Sequence, residues 1–496
     1  MSHRTDTNGN GNGTNGNGNG TNGNGTDEGD HTMSAPNERA GIDRRQLFKY
    51  AGGAALVAAA TGGGMKLFKP FSASRVSADS VYTGPAHMYL GGTDGWMGLP
   101  PTPAIPIFHP DPLAVDKGPN GTDSGLTTYI FGFRNITELS EANRFAQKEH
   151  AQHSAPLFWV DEFTDAKDNQ FVVDITNLGL AMRPDLFDAH TLHWHGMRNV
   201  IPFFDGEPTG SVSVPAGTVF RYVYRPRDPG TYMYHCHVED VEHVHMGMNG
   251  LVFVRPALNS PGHQYLYNDP STEYDREFAM HLSEVWAESH WADAHIQLPE
   301  WSDYRADFAL INGRVYPDTV APNAPYSDGW TPGQPWSKPY MPAAVDADGT
   351  LMPTPGFEHL QYQPLSSLVE CMEGERVALR VSNLGFKEAA MTIDGIPMKV
   401  VGRDATVMRG RDLTDTSYLT NTVNLNAGES FDVIITAPPF TGASGSSGAG
   451  YDLYMLYNRN FLRSNNLAGG GFGGQATEIR VYPASQNIPP QTVPNT

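Results

Sequence analysis

Apolar residues in this chain either alternate with polar ones or run together over four to seven positions. Six such runs stand out: Phe171–Thr176, Thr218–Tyr224, Gly250–Val254, Val377–Val381, Phe431–Ile435 and Glu478–Tyr482. Alternation at this length places one face of each run in a core and predicts β-strands. The runs are separated by Gly, Pro, Asn and Asp, and the chain's 53 Gly and 38 Pro suit many tight turns. Short strands and frequent turns predict an all-β protein built from Greek-key sandwiches.

The runs come in two sets. Ile175-Thr-Asn-Leu-Gly-Leu180 recurs as Val381-Ser-Asn-Leu-Gly-Phe386, and Pro215-Ala-Gly-Thr-Val-Phe220 recurs as Asn426-Ala-Gly-Glu-Ser-Phe431. Tyr232-Met-Tyr-His-Cys-His237 lines up with Tyr454-Met-Leu-Tyr-Asn-Arg459, so the elements keep one order in both halves. The expected organisation is one sandwich over residues 86–256, a Gly/Pro/Asn-rich connection at Ala257–Ser271, and a second sandwich over residues 273–483.

The N-terminus is of another kind. Thr7–Thr26 is an Asn/Gly/Thr repeat with nothing to bury, so residues 1–40 are expected to be disordered. Asp43-Arg-Arg-Gln-Leu-Phe-Lys49 precedes a weakly apolar run, Ala51–Gly64, and Val76-Ser77-Ala78 offers a processing site. Residues 41–78 read as a twin-arginine export signal, which places the mature protein outside the cytoplasm. A membrane anchor fits less well, because the run is short and rich in Ala and Gly against the ~20 apolar residues a span requires. Net charge is -21, which argues against nucleic acid or an anionic membrane as partner. With only two cysteines, Cys236 and Cys371, there is no disulfide framework.

The chemistry is concentrated in two strings, HTLHWHG at His190–Gly196 and YHCHVEDVEHVHMGM at Tyr234–Met248. His, Cys and Met suit copper, and two histidines with one cysteine and a weak axial methionine describe an electron-transfer (type 1) copper site. On a strand, residues two apart share a face, so His193 with His195, and His235 with His237, reach one side while Cys236 reaches the other. Structural zinc fits poorly, since it pairs cysteines. The second half has been emptied. Ala389, Thr392 and Asp394 stand opposite His190, His193 and His195, Tyr457, Asn458 and Arg459 opposite His235, Cys236 and His237, and no histidine follows Gln361. Its expected role is structural, or to cover the substrate side.

The pattern H-x-x-H-x-H-G, then H-C-H, then H-x-x-x-G-M resembles the multicopper oxidases, with type 1 copper in the first domain. The resemblance runs over most of Ala86–Pro483, including Leu310-Ile-Asn-Gly-Arg314 and the nearby Pro317-Asp318-Thr319. It implies His190, Cys236, His243 and Met248 at type 1 copper, His193 at type 2 copper, and His195, His235 and His237 at paired type 3 coppers where O2 becomes water. Two features depart from the family. The interval from Cys236 to His243 is long, so His245, expected on the same strand face as His243, is a rival ligand, and Met246 rivals Met248. The family's cluster also takes twice the four histidines matched here, which calls for a homo-oligomer, possibly a trimer, or a different partner chain to supply the rest. His150, His153, His281, His290 and His295 match no motif and are expected to be structural.

The expectation is thus an exported copper oxidase fed by a small-molecule or metal-ion electron donor. A copper nitrite reductase is the alternative enzyme, against which His193 and His237 count. A copper electron carrier with a relic half cluster is the non-enzymatic alternative. Glu239, Asp240 and Glu242 crowd the Cys236 to His243 interval and suit cationic donors.

Overall fold

The computed structural model describes residues 82–103, 127–330, 338–442, 449–466, 471–491 and 493–496. The disordered segment and export signal expected over residues 1–78 lie outside them. Eight strands make up the first half: β1 (Met88–Gly98), β2 (Thr127–Asn135), β3 (Phe158–Asp161), β4 (Phe171–Gly179), β5 (His193–His195), β6 (Val219–Tyr224), β7 (Gly230–His235) and β8 (Asn249–Arg255). They form two sheets, in the orders β2-β1-β4-β6 and β3-β8-β7-β5. A small hairpin follows, β9 (Gln264–Tyr265) and β10 (Glu273–Tyr274).

The second half repeats this plan. β11 (Arg276–Val285), β12 (Phe308–Ile311), β13 (Val369–Met372), β14 (Arg376–Asn383), β15 (Ala389–Ile393), β16 (Met398–Arg403), β17 (Thr406–Val407), β18 (Tyr418–Thr420), β19 (Thr422–Leu425), β20 (Glu429–Thr436), β21 (Asp452–Asn458) and β22 (Ala476–Tyr482) follow in order. One sheet contains β12-β11-β14-β20 and the other β13-β22-β21-β15, the same sequence of neighbours as in the first half, with β16 to β18 and β19 added at the edges. Each sandwich closes on its own buried cluster, around Phe158, Trp194 and Tyr234 in the first and Leu379, Met391 and Val433 in the second. The architecture is all-β, two sandwiches as the alternation predicts, and all six predicted runs are strands.

Pairing registers carry the repeat to single residues. Thr176 faces Val219 across β4 and β6, while their counterparts Ser382 and Ser430 face each other across β14 and β20. Asn177 turns its Nδ2 onto the Val214 carbonyl and Asn383 turns its own onto the Leu425 carbonyl. His193 faces His235 in the first half, and Thr392 faces Tyr457 in the second. The second half therefore keeps the frame of the site and none of its donors.

That half is seated on β7. Asp432 accepts from the Thr231 hydroxyl at 2.5 Å and from the Tyr267 hydroxyl, the Ser430 hydroxyl donates to the Thr231 carbonyl, and buried Arg380 holds Glu277 and Asp432 at 3.0 and 3.4 Å. A buried ion-pair network of this kind locks an arrangement more than it adds stability. It fixes the strand that runs into Cys236.

Candidate metal centre

Strand β7 ends at His235, and Cys236 follows it into the core between the sheets, fully buried with Met246 and Met248. Its amide donates to the Met248 carbonyl at 3.1 Å. His190 comes from the segment before β5, tied to Val214 by paired backbone hydrogen bonds, and Gly92 of β1 leaves it room, since a Cβ there would lie 2.7 Å from the imidazole Cδ2. The donor atoms of His190, Cys236 and His243 all lie within 4.8 Å of one another, with His243 Nδ1 3.3 Å from Cys236 Sγ. His190 is completely buried, yet neither ring nitrogen has a hydrogen-bond partner. An unpartnered buried imidazole costs on the order of 1 to 3 kcal/mol, and beside a cysteine its chemistry suits copper better than a proton. Burial opposes ionisation of Cys236, but the imidazoles of His243 and His190 outweigh it and hold the thiol well below its usual range.

His243 reaches this trio from a helix, α1 (Asp240–Met246), where a strand was expected. Glu239 turns the chain with φ 47°, Asp240 and Glu242 place carboxylates at the helix N-terminus, and Gly247 ends it with φ 124°. Residues two apart on a helix point about 200° apart, so the shared face expected for His243 and His245 does not exist. His243 faces Cys236. His245 faces the second half, accepting from the Trp286 amide at 3.1 Å among Trp301, Tyr304, Phe386 and His290. The far side of His243 meets carboxylates instead: Asp188 Oδ2 stands 3.6 Å from Nε2, and Asp188, Glu239 and His243 form a second close group.

The other histidines gather on the far side of Cys236. Donor atoms of His193, His195 and His235 lie within 4.8 Å of one another, and the His237 ring stands 5.0 Å from that of His193. His193 Nδ1 donates to the Asp205 carbonyl and His235 Nδ1 to the Cys236 carbonyl, each at 2.8 Å. A carbonyl accepts only, so both rings carry their proton on Nδ1 and leave Nε2 unprotonated. His195 is turned the other way, with Nδ1 3.4 Å from His235 Nε2. Its Nε2 abuts Gly428 of the second half, where φ is 81° and a Cβ would come within 3.2 Å. Burial lowers the pKa of His193 and His195 and takes His235 down to about 3, so the rings are neutral donors. Three neutral imidazoles aimed together fit a borderline metal such as copper.

Other histidines sit elsewhere: buried His281 bridges Ser382 Oγ and Asn249 Oδ1, buried His290 Nδ1 meets the Tyr129 carbonyl, and half-buried His295 and His150 stack on Trp291 and Tyr362. Glu239, already singled out inside the Tyr234–Met248 string, takes part in the site, as do Asp188, Asp205, Gly92 and Gly428, which belong to no His/Cys motif.

Residues 167–259 match the multicopper oxidase family. No curated protein sequence matches the chain. Among solved structures it is similar to the blue copper oxidase from Nitrosomonas europaea (18% identity, 80% of this chain and 85% of that one, TM-score 0.48). It is also similar to the multicopper oxidase mgLAC (18%, 81% and 86%, 0.47) and to the copper nitrite reductase from Nitrosomonas europaea (12%, 82% and 96%, 0.45). The matched segment holds every residue of both histidine clusters, so the match to the multicopper oxidase family and the two candidate metal sites fall on the same stretch of the chain.

Proposed function

We propose that the protein is an exported copper oxidase that takes electrons from a reduced donor and delivers them to O2. The observation that carries this reading is the placement of Cys236, whose thiol belongs to one donor cluster while its carbonyl fixes a histidine of the other. His190, Cys236 and His243, with Met248 buried in the same core, would hold a type 1 copper, and His193, His195, His235 and His237 the half of a type 2/type 3 cluster. Copper so bound supplies one-electron transfer and the reduction of O2 to water. The protein's own part is to hold the His193 and His235 imidazoles neutral in set tautomers and to keep the Cys236 thiol ready to ionise.

Two further elements belong to the proposal. Four histidines leave the cluster short of the family's set, so an oligomer of this chain, or a partner protein, completes it. The twin arginines at Arg44 and Arg45 export a protein that folds around its metal beforehand. Asp188 and Glu239 beside His243 favour a cationic donor, reduced metal ions included, over a neutral phenol.

The test is O2 uptake by the copper-loaded protein supplied with Fe(II), Cu(I), Mn(II) and a phenol in turn, with nitrite as the competing acceptor. Uptake with at least one donor, lost in Cys236→Ser, supports the reading. Reduction of nitrite in place of O2 supports the nitrite reductase alternative, and no turnover of either leaves an electron carrier.

A further inference from the structure

Between the end of β2 and the segment Tyr340–Val345 lies a cavity of about 110 Å³, and no residue of the two histidine clusters lines it. Its wall is largely apolar, from Leu139, Pro156, Leu157, Tyr340, Met341 and Leu365. That is space for several waters or one ring-sized organic molecule. The wall also carries Arg134, one of the most deeply buried large side chains of the chain, at 2% exposure.

Arg134 has only neutral partners. Nη1 donates to the Asn135 carbonyl at 3.0 Å and to Gln152 Oε1 at 3.3 Å, Nη2 donates to the Gly349 carbonyl at 3.0 Å, and Nε has no partner. Burial pulls its pKa down to about 10, which leaves it cationic at neutral pH. Glu138 lines the same cavity, but its carboxylate is already held by Lys338 and by the Tyr340 hydroxyl at 3.2 Å. A buried guanidinium with an unpartnered Nε and no carboxylate bonded to it, Asp346 acting only from a distance, is an expensive arrangement. Here it borders an apolar space large enough for a molecule that brings an anion to it.

We infer that this cavity binds a small monocarboxylate with an apolar body, its carboxylate paired with Arg134 and its ring or branched chain against Leu157, Tyr340 and Leu365. A carboxylate matches the planar guanidinium fork as a halide or a neutral ring does not. Pockets of this composition, apolar with one or two fixed polar groups, are the usual form of small-molecule sites.

Benzoate is the probe and benzamide its neutral counterpart, followed on the full protein by saturation-transfer NMR and by the shift in melting temperature. Benzoate is expected to bind, to raise the melting temperature with concentration, and to outcompete benzamide. Arg134→Gln should weaken benzoate about 10- to 100-fold and leave benzamide unchanged. Because Arg134 also ties three neighbours and its replacement can unfold the region, Leu365→Trp, which fills the cavity, is the second variant and should abolish binding of both probes. Equal binding of the two probes, benzoate binding unchanged by either variant, or a cavity holding only water at millimolar benzoate in a crystal would each overturn the proposal.

Discussion

The carbonyl of Cys236 accepts a hydrogen bond from His235 Nδ1 at 2.8 Å, while the sulfur of the same residue lies 3.3 Å from His243 Nδ1. One residue thus sets the tautomer of a ring in one donor cluster and places its thiol in the other. The two clusters are joined through a single peptide, and strand β7, clamped by Asp432 and Ser430, keeps that peptide in place.

Replacing Cys236 with Ser keeps the size and removes the soft donor. The copper-loaded variant is expected to lose the intense blue thiolate absorption and to retain its fold by circular dichroism. A variant that stays blue would remove Cys236 from the site.

His243→Ala and His245→Ala should part company. The first removes the imidazole at the sulfur and abolishes the blue band. The second leaves the band and costs stability, since it opens a hole among Trp301, Tyr304 and Phe386 and strips the Trp286 amide of its acceptor. That cost is on the order of 2 to 4 kcal/mol by denaturant titration. The opposite pattern would assign the ligand to His245.

Gly428 of the emptied half touches the second cluster at His195. A β-branched residue there meets a φ of 81° and a Cβ position 3.2 Å from His195 Nε2. Gly428→Val should cost roughly 1 to 3 kcal/mol in backbone strain and displace His195. Copper content is then expected to fall while the blue absorption stays, and equal loss of both would mean a general unfolding.

Acid stability follows from histidines outside the clusters. Burial takes the pKa of His153 and His281 down to about 3 and that of His290 to about 4, against 6.5 for an ordinary histidine. The unfolded chain then binds more protons than the folded one below pH 6.5, so stability is full above pH 6.5 and falls from there toward pH 3 to 4. The loss approaches about 2 kcal/mol per residue by pH 5. Melting of the copper-free protein should show this slope, and His153→Leu should flatten it, because neither nitrogen of His153 has a partner to lose. A flat profile between pH 7 and pH 5 would contradict the buried neutral rings.

Strand alternation alone predicted the frame well, because a half-buried sheet writes its period into Phe171–Thr176 or Val377–Val381 directly. The paired histidines were equally legible, since His193 and His195 bracket one residue on one strand. What escaped was helix α1. Its sequence places His243 and His245 two apart, which reads as one face of a strand, and only the left-handed turn at Glu239 and the Gly247 stop make it helical. The carboxylates and glycines that complete the site, Asp188, Asp205 and Gly428, come from separate segments brought together by the fold, and no local pattern announces such contacts.

If a neighbouring chain completes the cluster, dilution below the dissociation constant, or charge placed at the exposed Ile201 or Phe203, should lower copper content and O2 uptake together. The buried Cys236 site should keep its blue colour throughout. A monomer with full copper and undiminished uptake would contradict the shared cluster.

The most direct measurement is copper per chain, counted by mass spectrometry and sorted by electron paramagnetic resonance, in the wild type and in Cys236→Ser. Two joined clusters predict more than one copper per chain in the wild type, a thiolate-bound signal beside a second, non-thiolate one, and the loss of the first alone in the variant. A single copper per chain, all of it lost with Cys236, would reduce the protein to an electron carrier and contradict the account.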